Sequence, residues 1–154
     1  MSLNHREDFE IIRDIFDLMK NEYIEYQEYT EMWKREFARE IKELIEIHEN
    51  KEVKEESVLR NINRMLAYYE GRDAQARSGK KYLKYLEMIL QERFERANTT
   101  AHALGGGVAQ RFMSLEDARV YTEDISILKI YFNPRDKLFY VFRYPSEIPQ
   151  SEMG

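Results

Sequence analysis

The 154-residue chain has no cysteine, which excludes disulfides and thiol catalysis. Proline is scarce: Pro134, Pro145 and Pro149 all fall in the last 21 residues. Six glycines bring the total of Gly and Pro to nine, too few for a collagen-like or low-complexity chain. Long apolar runs are missing as well. The longest uncharged stretch, Ala97 to Gln110, is fourteen residues of mostly small or polar side chains, too short to span a membrane. The opening MSLNHRED holds no apolar signal segment, so an intracellular location is expected, cytoplasmic in the first instance.

Charged residues make up 34% of the chain, apolar residues 43% and aromatics 13%, enough for a packed core and against disorder. The length suits one domain, or one domain with a small appendage. The net charge of −5 is unevenly spread. Residues 1–56 carry nine Lys/Arg and seventeen Asp/Glu, residues 57–104 nine and five, and residues 105–154 six and seven. A basic middle after an acidic start fits antiparallel packing with complementary outer faces. An acidic chain is a poor generic DNA binder, because that affinity comes mainly from neutralised phosphates. Direct nucleic-acid binding is therefore expected to be weak or absent. The alternative is a small nucleic-acid-associated helical protein, of viral or defence-system type, with Lys80, Lys81, Lys84, Arg93 and Arg96 facing phosphates.

Phe9, Ile12, Phe16, Met19, Tyr23 and Tyr26 recur at spacings of three and four, and Trp33, Phe37, Ile41, Leu44 and His48 do the same. This is an amphipathic helical pattern. No glycine or proline breaks it, so residues 6–49 form either one helix about 65 Å long or two with a bend near Gln27–Thr30. Glu49–Glu56 reads as a charged connector and Ser57 as the N-cap of a helix burying Val58, Leu59, Ile62, Met65, Leu66 and Tyr69, closed by Gly71. Arg72–Lys80 is small and polar, with Ser78-Gly79 as a break. A further helix runs from about Lys80 to Asn98, with Leu83, Leu86, Leu90, Phe94 and Ala97 on one face.

Gly105-Gly106-Gly107 reads as a flexible hinge; a phosphate-loop signature and its preceding strand are both missing. Beyond it, Ile125–Phe132 and Lys137–Tyr144 are rich in β-branched and aromatic residues and flank Asn133-Pro134-Arg135-Asp136, a type I turn signal. Arg119–Thr122 offers a third strand. A lone hairpin is marginal in water, so it must dock on the helices or on another chain.

The fold expected is mainly α with a small C-terminal β element (α+β): a bundle of long helices, a glycine hinge and a β-hairpin. The domains follow as 1–104 helical, 105–118 linker and 119–154 hairpin module. Catalytic and metal constellations are lacking. His5, His48 and His102 are far apart, and no His-Glu-x-x-His or Gly-x-Ser-x-Gly occurs. No enzyme activity, cofactor or metal is expected. The aromatic stripes exceed what one small domain needs to cover, so the expected role is a scaffold or assembly subunit with protein partners, in a hetero-oligomer or a homo-oligomer. The stripes supply Tyr23, Tyr26, Trp33 and Phe37 as partner-interface residues, and the hairpin supplies Leu128, Ile130, Tyr140 and Phe142.

One segment resembles a known family. Residues 57–72, SVLRNINRMLAYYEGR, are similar to a helix of the GINS subunit "partner of Sld five, one", whose pattern runs close to L-x-R-N-x-R-C-x-x-A-Y-x-x-x-R. Leu59, Arg60, Asn61, Ala67, Tyr68 and Arg72 match; Asn63 and Arg64 stand where that family has Arg and Cys. The resemblance implies a scaffold without chemistry of its own: the GINS heterotetramer joins Cdc-forty-five and the MCM ring in the eukaryotic replicative helicase. It implies a nuclear location, and it adds Arg60, Asn61, Tyr68 and Arg72 to the partner interface. The other reading of Arg60 and Arg72 leaves them solvated, with only Leu59, Ile62 and Leu66 in the core.

Overall fold

The computed structural model describes residues 5–21, 32–123 and 128–144. The fold is mainly α with a small antiparallel β element at the C-terminal side. The helices are α1 (His5–Asn21), α2 (Met32–Glu49), α3 (Glu55–Tyr69), α4 (Leu83–Ala103) and α5 (Leu115–Thr122), with a 3₁₀ segment Ala74–Tyr82 leading into α4. The strands are β1 (Gly107–Phe112), β2 (Leu128–Asn133) and β3 (Leu138–Arg143). Contacts divide the chain into two compact units, Met1–Ile89 and Leu90–Gly154.

In the first unit α3 is the central element, touching α1, α2 and the 3₁₀ segment. The periodic stripes face inward. Ile12, Phe16 and Met19 of α1, Trp33, Phe37 and Ile41 of α2, and Val58, Ile62, Met65 and Leu66 of α3 are all buried. Each such aliphatic or aromatic side chain contributes about 1.5–3 kcal/mol when fully withdrawn from water. Phe16 and Trp33 meet at a ring-centroid distance of 6.1 Å. The bend expected near Gln27–Thr30 lies outside the described residues, as do Tyr23 and Tyr26.

Helix α3 begins two residues before the expected cap. Lys54 is its N-cap, without a side-chain bond, and Glu55 and Glu56 in the first turn oppose the positive helix end. Ser57 lies inside the helix. The far end is a Schellman motif: Gly71 has φ 75°, its N–H donates to Tyr68 O, and the Arg72 N–H donates to Ala67 O at 2.8 Å. Arg13 of α1 donates through Nε to Tyr69 O at 2.9 Å, a cation at the negative end of α3.

The polar stretch Arg72–Lys80 is ordered as the 3₁₀ segment. Asp73 Oδ1 caps it by accepting from the Gln75 N–H at 2.9 Å. Gly79 is buried against α3, where a Cβ would sit 2.5 Å from Met65 N. This glycine is therefore a close-approach residue.

In the second unit, α4 runs through Asn98-Thr99-Thr100, where the sequence favours an end. It continues because Ala97 and Ala101 pack against the sheet aromatics. Gly105 and Gly106 then form a second Schellman cap: Gly105 has φ 85° and donates to His102 O, and Gly106 donates to Ala101 O at 2.7 Å. The triple glycine expected as a hinge thus closes α4 and starts β1. The expected linker 105–118 holds β1 and the first turn of α5, and the expected third strand Arg119–Thr122 is helical. Ser114 caps α5, its Oγ accepting from the Asp117 N–H at 3.2 Å.

The sheet order is β1-β3-β2, all antiparallel, so β3 is central. A bulge between Val108 and Gln110 shifts the β1–β3 register. Burial along β3 does not alternate: Phe139, Tyr140, Val141 and Phe142 are all buried. Tyr140, Phe142 and Tyr144 pack on Phe94, Ala97 and Ala101 of α4, and Tyr144 Oη donates to Ala97 O at 3.3 Å. Phe139 and Val141 point to the opposite face, and α5 touches all three strands. The turn holds four residues, Pro134–Lys137, between the paired Asn133 and Leu138, two more than a two-residue loop: Lys137, at φ 60°, donates to Asn133 O at 2.8 Å, and Asn133 Oδ1 accepts from the Arg135 N–H.

Candidate functional site

A cleft of about 160 Å³ opens in the first unit, lined by Ile45, Glu49, Lys51, Lys81, Tyr82, Lys84 and Tyr85. Local chain geometry brings these groups together. Helix α2 ends at Glu49, and Asn50, in the left-handed region at φ 52°, turns the chain so that Lys51 follows directly. The end of the 3₁₀ segment supplies Lys81 and Tyr82, and the first turn of α4 supplies Lys84 and Tyr85.

Tyr85 is buried and its hydroxyl donates to Glu49 Oε2. Burial, and then the Glu49 carboxylate beside it, push the Tyr85 phenol up to about 12. The same hydrogen bond holds the Glu49 carboxyl below its usual range, with a further pull from Lys51, whose Nζ lies 3.4 Å from Oε1. The Lys81 ammonium sits 5.2 Å from the Tyr82 ring centroid and the Lys84 ammonium 4.9 Å from that of Tyr85. Beside the cleft, Lys80 lies 5.3 Å from the Tyr68 ring. Among the described residues, Lys80, Lys81 and Lys84 form no ion pair. His48 is the exposed last-turn residue of α2, its ring 6.5 Å from Tyr85.

The candidate interface residues scatter. Trp33 and Phe37 are core residues of the first unit, each 2% exposed. Phe142 is fully buried in the second unit, and Tyr140 packs edge-on against Phe94 at 4.7 Å with its hydroxyl on Asp136. Leu128 and Ile130 are half-buried on β2. In the segment that resembles the GINS helix, Arg60 is exposed, and Asn61 Nδ2 turns back to Ser57 O at 2.9 Å. Arg72 pairs with Glu70 at 3.2 Å, and Tyr68 meets Tyr69 edge-on at 5.1 Å. Of the basic residues suited to phosphates, Arg96 is tied to Glu92 at 2.6 Å and lies with Arg93 in the second unit, whereas Lys80, Lys81 and Lys84 lie in the first.

Sequence reasoning missed Glu49, Lys51 and Tyr85. Glu49 and Tyr85 are 36 residues apart, and no motif connects a helix-end glutamate to a core tyrosine at that range. It also missed the exposed apolar residues of the second unit. Met113 is 83% exposed, Val120 66%, Val108 43% and Tyr121 40%. These lie on β1, on α5 and between them, where the Phe112 and Tyr121 rings meet at 5.4 Å. The Ser-x-x-Asp cap at Ser114–Asp117 was a usable signal for α5. Among the described residues no three His, Asp or Glu side chains converge as metal ligands, and no helix is long and apolar enough to cross a membrane.

No protein-family model matches the chain, and no match was found among the curated proteins or the solved structures.

Proposed function

We propose that this protein is a non-enzymatic assembly subunit that meets a protein partner through the β1–α5 surface of its second unit. The observation that carries the reading is the set of exposed apolar side chains on α5 and just before it, Met113, Val120 and Tyr121, beside a strand that among the described residues has a hydrogen-bonded neighbour on one side only. Exposed apolar side chains next to an open sheet edge favour association. Trp33, Phe37 and Phe142 are used by the chain's own cores, so the contact area moves to this surface.

The resemblance of residues 57–72 supports a narrower form, a subunit of the GINS complex and hence a nuclear protein. In that form the exposed Arg60 faces neighbouring subunits.

The test is size-exclusion chromatography with light scattering on the full chain, alone and mixed with the other GINS subunits, together with affinity purification and mass spectrometry from the source cells. A stoichiometric protein partner that is lost in a Met113→Lys/Val120→Lys variant with an unchanged circular dichroism spectrum is expected. A partner other than a GINS subunit removes the narrower form. A chain that stays monomeric and recovers no stoichiometric partner overturns the assembly reading.

A further inference from the structure

We propose that the cleft between the C-terminal end of α2 and the first turn of α4 binds a phosphate dianion, free or as the monoester of a small ligand. This inference concerns the first unit and stands independently of the assembly reading.

Charge is the first argument. Lys51, Lys81 and Lys84 line the cleft with one carboxylate, Glu49, leaving a local charge of about +2. A phosphate monoester carries about −1.5 to −2 near neutral pH. Availability is the second. Lys81 and Lys84 form no ion pair among the described residues, and their ammonium groups rest over the Tyr82 and Tyr85 rings, which hold a cation in place without neutralising it. The one carboxylate is partly occupied already: Glu49 Oε2 accepts from the buried Tyr85 hydroxyl, so a single oxygen faces Lys51. Tyr85 thus acts as a positioning residue, anchoring the acid beside the lysines.

Size and long-range charge select the ligand. A space of about 160 Å³ takes a phosphate group with its hydration but not a folded segment of another protein. The chain is acidic, with a net charge of −5, and residues 1–56 alone carry seventeen Asp/Glu against nine Lys/Arg. That field opposes a long polyanion, which feels many charges at once. A small dianion responds mainly to the lysines within a Debye length of it.

The experiment is calorimetric titration of the full chain, at constant low ionic strength set with chloride, with inorganic phosphate, adenosine monophosphate and an oligothymidine strand in separate arms. Binding of inorganic phosphate is expected, and Lys81→Gln/Lys84→Gln should weaken it about tenfold or more. Lys129→Gln, on β2, should leave it unchanged. Glu49→Gln should tighten it roughly fivefold by removing the opposing charge, a gain that misfolding does not produce. Monophosphate binding at similar strength identifies the monoester as a ligand; binding of inorganic phosphate alone identifies the free ion. The proposal is overturned by no phosphate binding, by equal losses in the Lys129→Gln and cleft variants, or by Glu49→Gln failing to tighten binding. Oligothymidine binding through the same lysines that inorganic phosphate does not displace also overturns it, in favour of a nucleic-acid surface.

Discussion

A methyl group added at Gly79 places its carbon 2.5 Å from Met65 N, 2.9 Å from Asn61 O and 3.0 Å from the Arg64 carbonyl carbon. All three are backbone atoms of α3, so no side chain can rotate aside. Ordinary contact between heavy atoms begins at about 3.5 Å, so Gly79→Ala must push the 3₁₀ segment off α3 by about 1 Å. Overpacking of this kind costs about 1–3 kcal/mol, and the backbone clash places it near the upper end. The reduced freedom of alanine in the unfolded chain returns about 0.4–1 kcal/mol. A net loss of about 2 kcal/mol follows, or roughly 8–16 °C in Tm for a unit of this size.

The assay is urea unfolding followed by fluorescence. The single tryptophan, Trp33, is 2% exposed in the first unit and reports directly on it. Gly105→Ala, in the second unit and followed by circular dichroism, is the comparison, because its added Cβ meets nothing within 4 Å and carries only the left-handed penalty at φ 85°, about 1–2 kcal/mol. Gly79→Ala should lower the Trp33 midpoint and make the Met65–Leu66 region easier to open in hydrogen exchange. A neutral or stabilising Gly79→Ala refutes the close-approach argument.

Two further outcomes follow from single groups. Tyr85 keeps its proton more tightly when folded, so the stability it contributes is complete below about pH 10 and is lost as the pH rises towards about 12. Its partner Glu49 has a lowered pKa, so that contribution is present above the ordinary carboxylate range and is lost on acidification. Tyr85→Phe should therefore flatten the stability profile at both ends, measured by urea midpoints across pH; unchanged slopes count against the pair. Lys137 sits at φ 60° in the β2–β3 turn, so Lys137→Gly should stabilise the second unit by about 0.5–1 kcal/mol, read as a rise in the circular dichroism midpoint; a fall would show that the turn tolerates lysine there without strain.

Local pattern was legible. The 3.6-residue stripe of α3 places Val58, Ile62, Met65, Leu66 and Tyr69 in the core, and only Leu59 of the expected set is half-exposed. The run Leu138–Phe142 is apolar at every position, as a strand covered on both faces requires. The misreadings came where local preference and packing disagreed. Val120-Tyr121-Thr122 favour a strand by residue type, yet Ser114, six residues before Val120, caps a helix that runs through them, and Ala118 packs inside it. Strand β1, Gly107–Phe112, shows little apolar pattern and exists because it pairs with β3, about thirty residues later in the chain.

The same division governs the candidate sites. The basic residues Lys80, Lys81 and Lys84 and the scarcity of breakers are visible residue by residue, because charge and backbone freedom are properties of each residue and its near neighbours. Whether Trp33, Phe37 and Phe142 face a partner or their own core depended on which elements cover them, and that is decided by packing across the chain. The Glu49–Tyr85 bond and the need for glycine at position 79 have the same origin: each exists only once segments far apart in sequence are brought to contact distance. Periodicity and caps are short-range and act on the unfolded chain as well, whereas burial and close approach arise only when the helices and strands have found one another.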